Sequence, residues 1–443
     1  MKLADAIAAE IAEGKLAPGA RLPPQRDFAY ERKIAVSTAS RVYAELLRRG
    51  LVVGEVGRGT FVSGDQGRSN AAACEPRDMR IDFEFNYPIL SDQTGLIAKS
   101  LAGLEQSAAL DIAAALRQTT SIGTPAIRAV SSAYLAQSAW RPDPDQLVFT
   151  GNGRQSIAAA LAALVPTGGR CGVEALTYPF IKSIAARLGI SVVPLAMDEH
   201  GVLPDQVQRA QREYHLSAIY IQPAIHNPLG ITMPAARRAD LLRVAEALEL
   251  PIIEDNVYGF LDDQPPLAAL APNHCVVIDS LSKKIAPGLS LGFIVAPPHL
   301  RDSMMASVRS GGWTASGFAF AAAERMMSDG TVAELARLKR LDAGKRQKLA
   351  RQHLAGFEIQ ANPKCYHLWL TLPEHWRSQT FVAAAARRDI ALSPSTIFAA
   401  IPGHAPNAVR LALAAPTMEQ LDVGLRAIAT MLNSAGDDLD RTE

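Results

Sequence analysis

A lysine flanked by serines stands between two apolar runs in the segment VVIDSLSKKIAPGLSLGFIVAP. The lysine is Lys283, with Ser280 and Ser282 on its N-terminal side and Lys284 directly after it. An amine at the end of a buried strand loses hydration and becomes nucleophilic enough to capture an aldehyde, while serine hydroxyls can hold a phosphate. The segment therefore predicts aldehyde chemistry at Lys283, with ordinary surface charges at both lysines as the alternative.

Further residues are needed if that aldehyde belongs to pyridoxal phosphate. The protein must supply a carboxylate for the pyridine nitrogen, a partner for the ring hydroxyl, an aromatic ring to stack and a phosphate cradle. Each has a candidate near the end of a predicted strand. Asp255 is the candidate for the pyridine nitrogen, Asn227 and Tyr258 are the candidates for the ring hydroxyl, and Tyr178 is the candidate for the stacked ring. The candidates for the phosphate cradle are Gly153, Arg154, Gln155, Ser280 and Ser282.

These assignments have chemical reasons and structural alternatives. Residues 153–155 open a predicted helix, whose N–H groups and dipole attract an anion. An ionised Asp255 would keep the pyridine nitrogen protonated and the ring an electron sink. Taken singly, Asp255 also fits a helix cap, Tyr178 a core aromatic and Asn227 a turn residue before proline. Their joint occurrence in this order favours pyridoxal phosphate as the cofactor.

Strands and helices alternate through the part of the chain that carries these residues. Apolar runs near residues 147, 170, 218, 251, 275 and 291 are separated by helical patterns. Such alternation predicts an α/β domain in which helices cover both faces of a mainly parallel sheet. After about residue 335 the pattern changes and predicts a smaller α+β subdomain.

The first 63 residues form a separate basic module. Residues 21–60 contain eight basic and four acidic side chains, whereas the whole chain has a formal charge of +1. Apolar spacing predicts helices near residues 3–13 and 25–31, and a third helix with Ser37 as its N-cap. The segment LVVGEVGRGTFV then predicts a β-hairpin. Three helices and a hairpin make a winged helix-turn-helix, whose third helix enters the major groove of DNA.

Composition limits the remaining possibilities. The chain has 443 residues, 48% of them hydrophobic, which is typical of a folded protein of several domains. Four scattered cysteines predict neither a disulfide framework nor a metal site. Acidic residues in the first helix argue against a signal peptide, and we expect a cytoplasmic protein with no membrane partner. Residues 64–80 read as a linker and residues 433–443 as a tail.

The stretch from PGARLPPQRDF to GRGTFV resembles the GntR family of bacterial regulators. The resemblance implies a dimer that binds operator DNA. The implied contacts are Arg26, Ser37, Thr38, Arg41 and Arg58, residue types that contact phosphates or base edges. The alternative is that these arginines merely solvate a small helical domain.

Residues 81–432 resemble a fold-type I aminotransferase domain, with a large subdomain at about 125–330 and a small one at about 335–432. Joined to a GntR-type head, the whole resembles the MocR subgroup of transcriptional regulators. The resemblance implies a homodimer and a Schiff base on Lys283 rather than Lys284. It also implies a site for a substrate or effector carboxylate at Arg410, in NAVRLALAAP, where a guanidinium can bind both oxygens.

Two departures from the family pattern bear on function. The arginine that usually grips the cofactor phosphate, seven residues after the lysine, is Ser290 here, and the usual QNPTG begins with His226. We expect Arg154 to compensate by folding over the phosphate, with solvent exposure of its side chain as the alternative. The loss of the arginine predicts weak or absent transaminase activity.

The sequence thus predicts a pyridoxal-phosphate-dependent regulator with three kinds of partner: operator DNA, a small amine or amino acid, and a second copy of the chain. The amine would form an external aldimine and so alter DNA affinity. One alternative is an active aminotransferase with a regulatory DNA-binding head, because Asp255 and Lys283 suffice for that chemistry. Another is a DNA-binding protein with a vestigial body that holds no cofactor.

Overall fold

The computed structural model describes residues 2–12, 15–16, 19–48, 51–55, 59–62, 81–104, 119–138 and 140–434. The chain divides into two compact units. The first comprises Met1–Phe85, Leu349–Gln360 and His367–Glu443, and the second comprises Asn86–Lys348 and Ala361–Tyr366. The first unit therefore contains both the basic module and most of the C-terminal portion. The domain boundaries given above stay predictions.

The N-terminal part of the first unit is a winged helix-turn-helix, as predicted. Its elements are helices α1 (Lys2–Ala12), α2 (Gln25–Glu31) and α3 (Val36–Arg48) and the antiparallel strands β1 (Val52–Glu55) and β2 (Gly59–Val62). Phe28 and Tyr43 meet edge to face in its core, with ring centroids 5.4 Å apart. One detail is corrected: α3 begins at Val36, so Ser37 lies within its first turn and is not the N-cap.

The hairpin of this head packs against the C-terminal portion of the same unit. A Cβ atom on Gly54 would lie 2.7 Å from the Cα atom of Gly403, so only glycine allows the two backbones to approach this closely. The guanidinium carbon of Arg377 lies 4.4 Å from the ring centroid of Phe61, within the range of a cation–π contact. The wing is thus held to the C-terminal portion by backbone and side-chain contacts.

The rest of the first unit is built around a four-stranded antiparallel sheet. A two-stranded parallel pair and two helices complete it. The elements are β3 (Ile81–Asp82), β13 (Ile359–Gln360), β14 (His367–Thr371), α13 (Ser378–Ala386), β15 (Ile390–Ala391), β16 (Ser393–Pro394), a 3₁₀ turn (Ser395–Ile397), β17 (Ala408–Ala412) and α14 (Met418–Asn433). The sheet order is β13-β14-β17-β16, and β3 pairs with β15. This is the smaller α+β arrangement that the sequence predicts.

The second unit contains a seven-stranded sheet. Its strands are β4 (Leu147–Thr150), β5 (Arg170–Glu174), β6 (Ser191–Leu195), β9 (Ala218–Ile221), β10 (Ile252–Asp255), β11 (Cys275–Ser280) and β12 (Gly292–Val295). The order is β4-β12-β11-β10-β9-β5-β6, and only β12 runs antiparallel to its neighbours. This confirms the predicted mainly parallel sheet. A small hairpin, β7 (Met197–Asp198) and β8 (Gly201–Val202), follows β6.

Helices complete the second unit. They are α4 (Gln93–Ala102), α5 (Pro125–Leu135), α6 (Gly153–Leu164), α7 (Pro179–Arg187), α8 (Pro204–Tyr214), α9 (Ala235–Ala247), α10 (Pro298–Ser310), α11 (Gly317–Ser328) and α12 (Thr331–His353), with 3₁₀ turns at Pro144–Gln146, Gly259–Leu261 and Leu267–Ala269. The last residues of α12, from Leu349, belong to the first unit. The central strands β9, β10 and β11 are fully buried. Parallel strands collect polar residues at their carboxyl ends, so the residues after these three strands meet at one edge of the sheet.

Candidate functional site

Lys283 lies in the turn that follows β11, with its amine between aromatic rings. Nζ donates a hydrogen bond of 2.7 Å to the backbone carbonyl of Asn86 and lies 4.0 Å from the ring centroid of Tyr87. The ring of Tyr258 is 5.8 Å away, and its hydroxyl accepts a hydrogen bond of 2.9 Å from the side chain of Asn86. Asn86, Tyr87 and Tyr258 are all uncharged, and Lys283 is half-buried among them.

Lys284 has a different environment. Its side chain is 3% exposed and forms an ion pair with Asp279, which is 5% exposed. Burial raises the pKa of the Asp279 carboxyl, and the attraction of Lys284 opposes that shift. An amine committed to a buried ion pair is not available for covalent chemistry, which argues against Lys284 as the reactive lysine.

Asp255 ends β10, and only neutral donors hold its carboxylate among the described residues. Oδ2 accepts hydrogen bonds from the hydroxyl of Tyr220 at 2.6 Å and from the side-chain amide of Gln222 at 3.2 Å. Oδ1 accepts the backbone N–H of Val257 at 3.1 Å. Burial raises the pKa of Asp255, and these hydrogen bonds work in the opposite direction. A buried carboxylate of this kind suits a cationic partner such as a protonated pyridine nitrogen.

Gln222 connects two of the predicted cofactor contacts. Its Nε2 reaches Asp255, while its Oε1 accepts the backbone N–H of Asn227 at 3.1 Å. The histidine that departs from the family pattern, His226, lies 3.3 Å from Glu174 through Nε2, and both side chains are 1% exposed. This buried contact gives His226 a structural role beside Asn227. Gln222 thus links the Asp255 carboxylate to the backbone N–H of Asn227.

The predicted phosphate cradle brings the start of α6 against the serines. A Cβ atom on Gly153 would lie 3.2 Å from the Cβ of Ser280. The Ser280 hydroxyl donates to Ser282 Oγ at 3.1 Å and lies 3.0 Å from Ser290 Oγ. Ser290, at the position of the family's arginine, therefore joins a cluster of three hydroxyl groups. A phosphate here would meet hydroxyls and helix N–H groups.

One of the three predicted N–H donors already has a partner. Asn152 is the N-cap of α6, and its side-chain oxygen accepts the backbone N–H of Gln155 at 3.1 Å. An Asn at this position satisfies one of the unpaired donors of a helix start. The backbone contribution that the sequence predicts for Gln155 is therefore engaged within the protein, which leaves Gly153 and Arg154.

The side chain of Arg154 joins two tyrosines. Its Nε donates to the hydroxyl of Tyr178 at 3.3 Å, and its Nη2 donates to the hydroxyl of Tyr87 at 3.0 Å. Its guanidinium carbon lies 3.6 Å from the ring centroid of Phe180. Burial raises the pKa of Tyr178 to about 12, although Arg154 opposes that shift, so this tyrosine is neutral near pH 7. Arg154 is thus linked through Tyr87 to Lys283.

Lys339, on α12, supports the turn that carries Lys283. Its side chain is fully buried and donates to the backbone carbonyls of Lys283 at 3.1 Å and Ile285 at 2.7 Å. Burial lowers the pKa of Lys339 to about 7, and Asp342 acts against the shift. This lysine fixes the backbone that presents the reactive amine.

The lowered pKa of Lys339 predicts that the free energy of unfolding depends on pH. The unfolded chain keeps this amine protonated up to its ordinary pKa of 10.5, whereas burial lowers the pKa to about 7 in the folded protein. Between these values the unfolded state binds more protons, so stability rises with pH, by up to about 1.4 kcal/mol per pH unit from this group. Denaturant unfolding of wild type and Lys339→Met at pH 7 and 9 should show a larger rise in wild type than in the variant. Parallel curves would contradict the shift.

Arg410 lies on β17 in the first unit. Its Nη2 donates to the hydroxyl of Ser393 at 3.0 Å and to the backbone carbonyl of Glu84. The ring centroid of Phe398 is 5.1 Å from its guanidinium carbon. Arg410 is buried. These contacts hold the guanidinium in one orientation, and its role toward a carboxylate stays a prediction.

The predicted DNA contacts that the structure describes are exposed on the head. Arg26 lies on α2, and Ser37, Thr38 and Arg41 lie on the first turns of α3. All four side chains are exposed to solvent. The fifth predicted contact, Arg58, lies outside the described residues. The first two turns of the third helix thus present hydroxyls and a guanidinium to solvent, as groove recognition requires.

Comparison with known families agrees with this arrangement of head and body. Residues 86–428 match the family described as "Aminotransferase class I and II", and residues 1–62 match "Bacterial regulatory proteins, gntR family". The chain belongs to the aminotransferase class I and II family and carries a GntR head. With both parts in one chain, it has the same combination of head and aminotransferase-like domain as GntR-type transcriptional regulators such as MocR.

Curated relatives share this architecture over most of their length. The chain is 28% identical over 450 residues to the uncharacterized HTH-type transcriptional regulator YdeF of Bacillus subtilis, which covers 97% of this chain and 94% of the relative. It is also 28% identical to the probable rhizopine catabolism regulatory protein MocR of Rhizobium meliloti, over 92% of this chain and 85% of that protein.

Solved aminotransferases share the fold of the body. An archaeal alanine:glyoxylate aminotransferase superposes with a TM-score of 0.72 at 22% identity, covering 80% of this chain and 90% of the enzyme. The kynurenine aminotransferase of Pyrococcus horikoshii also gives 0.72, at 20% identity, covering 80% of this chain and 91% of the enzyme. Residues 86–428 therefore have the aminotransferase fold, which is typical of pyridoxal-phosphate enzymes.

Several residues of the site were not predicted from the sequence. Tyr220 and Gln222 could have been found, because they stand at the end of the strand AIYI beside the Asp255 strand. Asn86 and Tyr87 had no such signal, since Asn86 is 197 residues from Lys283 along the chain.

Across the described segments, no three His, Cys, Asp or Glu side chains group as a metal site would require. The same segments contain no helix long and apolar enough to cross a bilayer.

Proposed function

We propose that this regulator holds pyridoxal phosphate on Lys283 and responds to a small amine or amino acid by changing its affinity for operator DNA. The observation that carries the proposal is the meeting of three groups in the second unit. An amine at Lys283, a buried carboxylate at Asp255 and a hydroxyl cluster at Ser280 stand at the ends of adjacent strands β10 and β11. Pyridoxal phosphate needs these three groups together.

The residues present fit the cofactor. Asp255 lies among neutral donors that hold its carboxylate in place for a protonated pyridine nitrogen. The serine hydroxyls and the start of α6 offer donors for a phosphate. Tyr178 would stack on the ring, and Asn227 and Tyr258 would contact the ring hydroxyl. When bound, pyridoxal phosphate supplies an aldehyde that condenses reversibly with primary amines, first that of Lys283 and then that of an effector.

The chain's own residues determine how an exchange of the Lys283 amine for an effector amine affects the protein. Lys283 donates to the carbonyl of Asn86 when it is not engaged, so its amine has a defined resting position. Lys339 fixes the backbone of that turn. Arg410, which we propose to bind the effector carboxylate, belongs to the unit that carries the head. The C-terminal portion of that unit also touches the wing, through Gly403 and Arg377.

An active aminotransferase is the second candidate function. The pair of Lys283 and Asp255 is sufficient for that chemistry. Ser290 argues against efficient turnover, because a hydroxyl replaces the guanidinium that would neutralise the cofactor phosphate. We therefore propose sensing as the main function, with operator DNA, an amine or amino acid and a second copy of the chain as partners.

The test uses the full-length protein purified with pyridoxal phosphate. A visible absorption band should appear, and amines that perturb it should also change binding of a fluorescent operator fragment. Both effects should follow the same concentration dependence, since one exchange causes both. A protein that develops no band would refute the cofactor. A band that amines alter without any change in operator affinity would favour the aminotransferase.

The head makes a separate prediction about DNA. Arg41→Ala should weaken operator binding by about 1–3 kcal/mol if its guanidinium contacts a base, and the loss should depend on operator sequence. Arg58→Ala should weaken binding to all sequences alike and reduce the slope of affinity against salt by about one, as expected for a phosphate contact. Arg209, exposed on α8 and paired with Glu213, serves as the control. Unchanged operator affinity in both head variants would contradict this interface.

A further inference from the structure

Arg154, Tyr87, Tyr178 and Phe180 form a cluster that we call the arginine–tyrosine cluster. The guanidinium stacks on Phe180 and donates to both tyrosine hydroxyls. The Arg154 side chain is exposed to solvent, yet it has a stacked ring and two hydroxyl acceptors. This side chain is therefore oriented by neighbours from two segments of the second unit, Tyr87 in one and Tyr178 and Phe180 in the other.

The positive charge of the cluster is not neutralised. No carboxylate among the residues that the structure describes lies within ion-pair distance of Arg154, and both of its hydrogen-bond acceptors are tyrosine hydroxyls. Nη1 donates to none of the described residues. An oriented guanidinium with an unused edge and no acidic partner is suited to bind a carboxylate or another planar anion.

The cluster is one tyrosine ring away from the reactive lysine. Tyr87 presents its ring to Nζ of Lys283 at 4.0 Å and its hydroxyl to Nη2 of Arg154 at 3.0 Å. Tyr178, the second acceptor, is the residue proposed to stack on the cofactor ring. An amine that replaces Lys283 would therefore extend its far end toward this guanidinium.

We propose that the arginine–tyrosine cluster binds an acidic group at the far end of the effector. The effector class is then an amino acid with a side-chain carboxylate, or another amine with a remote acidic group. This inference rests on the proposed function, since it names the ligand of the same site. It assigns the Arg154 guanidinium to the effector, whereas the sequence alone suggested the cofactor phosphate.

The expected selectivity follows from the strength of charge-assisted hydrogen bonds. Glutamate and glutamine have the same shape, and only glutamate gives Arg154 an anionic partner. A hydrogen bond to a charged group contributes more than one between neutral groups, by an amount that corresponds to about 10- to 100-fold in affinity. Glutamate and aspartate should therefore perturb the cofactor spectrum at lower concentration than glutamine and asparagine.

The experiment titrates each amino acid into full-length protein saturated with pyridoxal phosphate, and follows the visible band. Wild type should prefer glutamate to glutamine, or aspartate to asparagine, by about 10-fold or more. Arg154→Gln should reduce that ratio to about one, and Tyr87→Phe should reduce it in part, because one orienting acceptor is lost. Arg187→Gln, which changes an exposed arginine on α7, should keep the wild-type ratio.

Each other outcome overturns the assignment. A wild-type ratio near one, or a ratio that survives in Arg154→Gln, would show that the guanidinium does not read an acidic group. If Arg154→Gln instead needs more pyridoxal phosphate for saturation and keeps the glutamate preference, the side chain serves the cofactor phosphate. A protein that binds pyridoxal phosphate but whose spectrum changes with no amine would refute the proposed function itself, and this inference with it.

Discussion

Lys283→Ala protein is expected to bind operator DNA as wild type does and to lose its response to amines entirely. The variant keeps the head and the packing of the second unit, since the Lys283 side chain is only partly buried. It lacks the amine that captures the cofactor aldehyde and is exchanged by the effector. Fluorescence anisotropy of a labelled operator fragment, with and without the amine that is active on wild type, measures both properties.

A chemical experiment supports the same assignment. Borohydride reduction of wild type should fix pyridoxal phosphate to the tryptic peptide that contains Lys283, and Lys283→Ala should incorporate none at that peptide. Turnover of wild type with an amino acid and a keto acid should remain far below the enzymatic median of about 10 per second. An amine response that persists in Lys283→Ala would mean that the effector acts without exchange at this lysine.

The strands that position the site were predictable because each is a short apolar run ended by polar residues. The runs before Asp255 and Ser280 are both completely buried in the structure. Such runs predict central parallel strands, and the carboxyl ends of these strands collect ligand-binding residues. One strand was not predictable in the same way. Ser191–Leu195 contains Pro194, which weakens a strand pattern, and it lies at the edge of the sheet where proline is tolerated.

The contacts that fix the reactive groups were less predictable. Lys283 meets Asn86 and Tyr87, and Lys339 supports it from a helix more than fifty residues later in the chain. No periodicity or local motif marks such partners, because long-range packing alone brings them together. The choice between adjacent lysines had a similar basis: only the fold reveals that Lys284 is paired with Asp279.

Asp255→Ala is the second variant for which we expect a large effect. Removing one partner of a buried charged pair costs about 3–5 kcal/mol, because the remaining charge is left without compensation. Affinity for pyridoxal phosphate should therefore fall by more than 100-fold, measured by equilibrium dialysis of the full-length protein. Glu254→Gln is the matched control, since it alters a buried carboxyl on the same strand that accepts the backbone N–H of Leu267 instead.

Tyr220→Phe then tests whether cofactor affinity depends on the ionisation of Asp255 and not only on the presence of its side chain. The Tyr220 hydroxyl donates to Asp255 at 2.6 Å and lowers the pKa of this carboxyl, against the larger effect of burial. Without that hydroxyl the pKa of Asp255 rises, so the loss of cofactor affinity on acidification should begin at higher pH than in wild type. At pH values well above the pKa of Asp255, the affinity of Tyr220→Phe for pyridoxal phosphate should be only about fivefold lower than that of wild type, the effect of losing one hydrogen bond. If the pH profile is unchanged, or if Asp255→Ala binds the cofactor like Glu254→Gln, Asp255 does not hold the pyridine nitrogen.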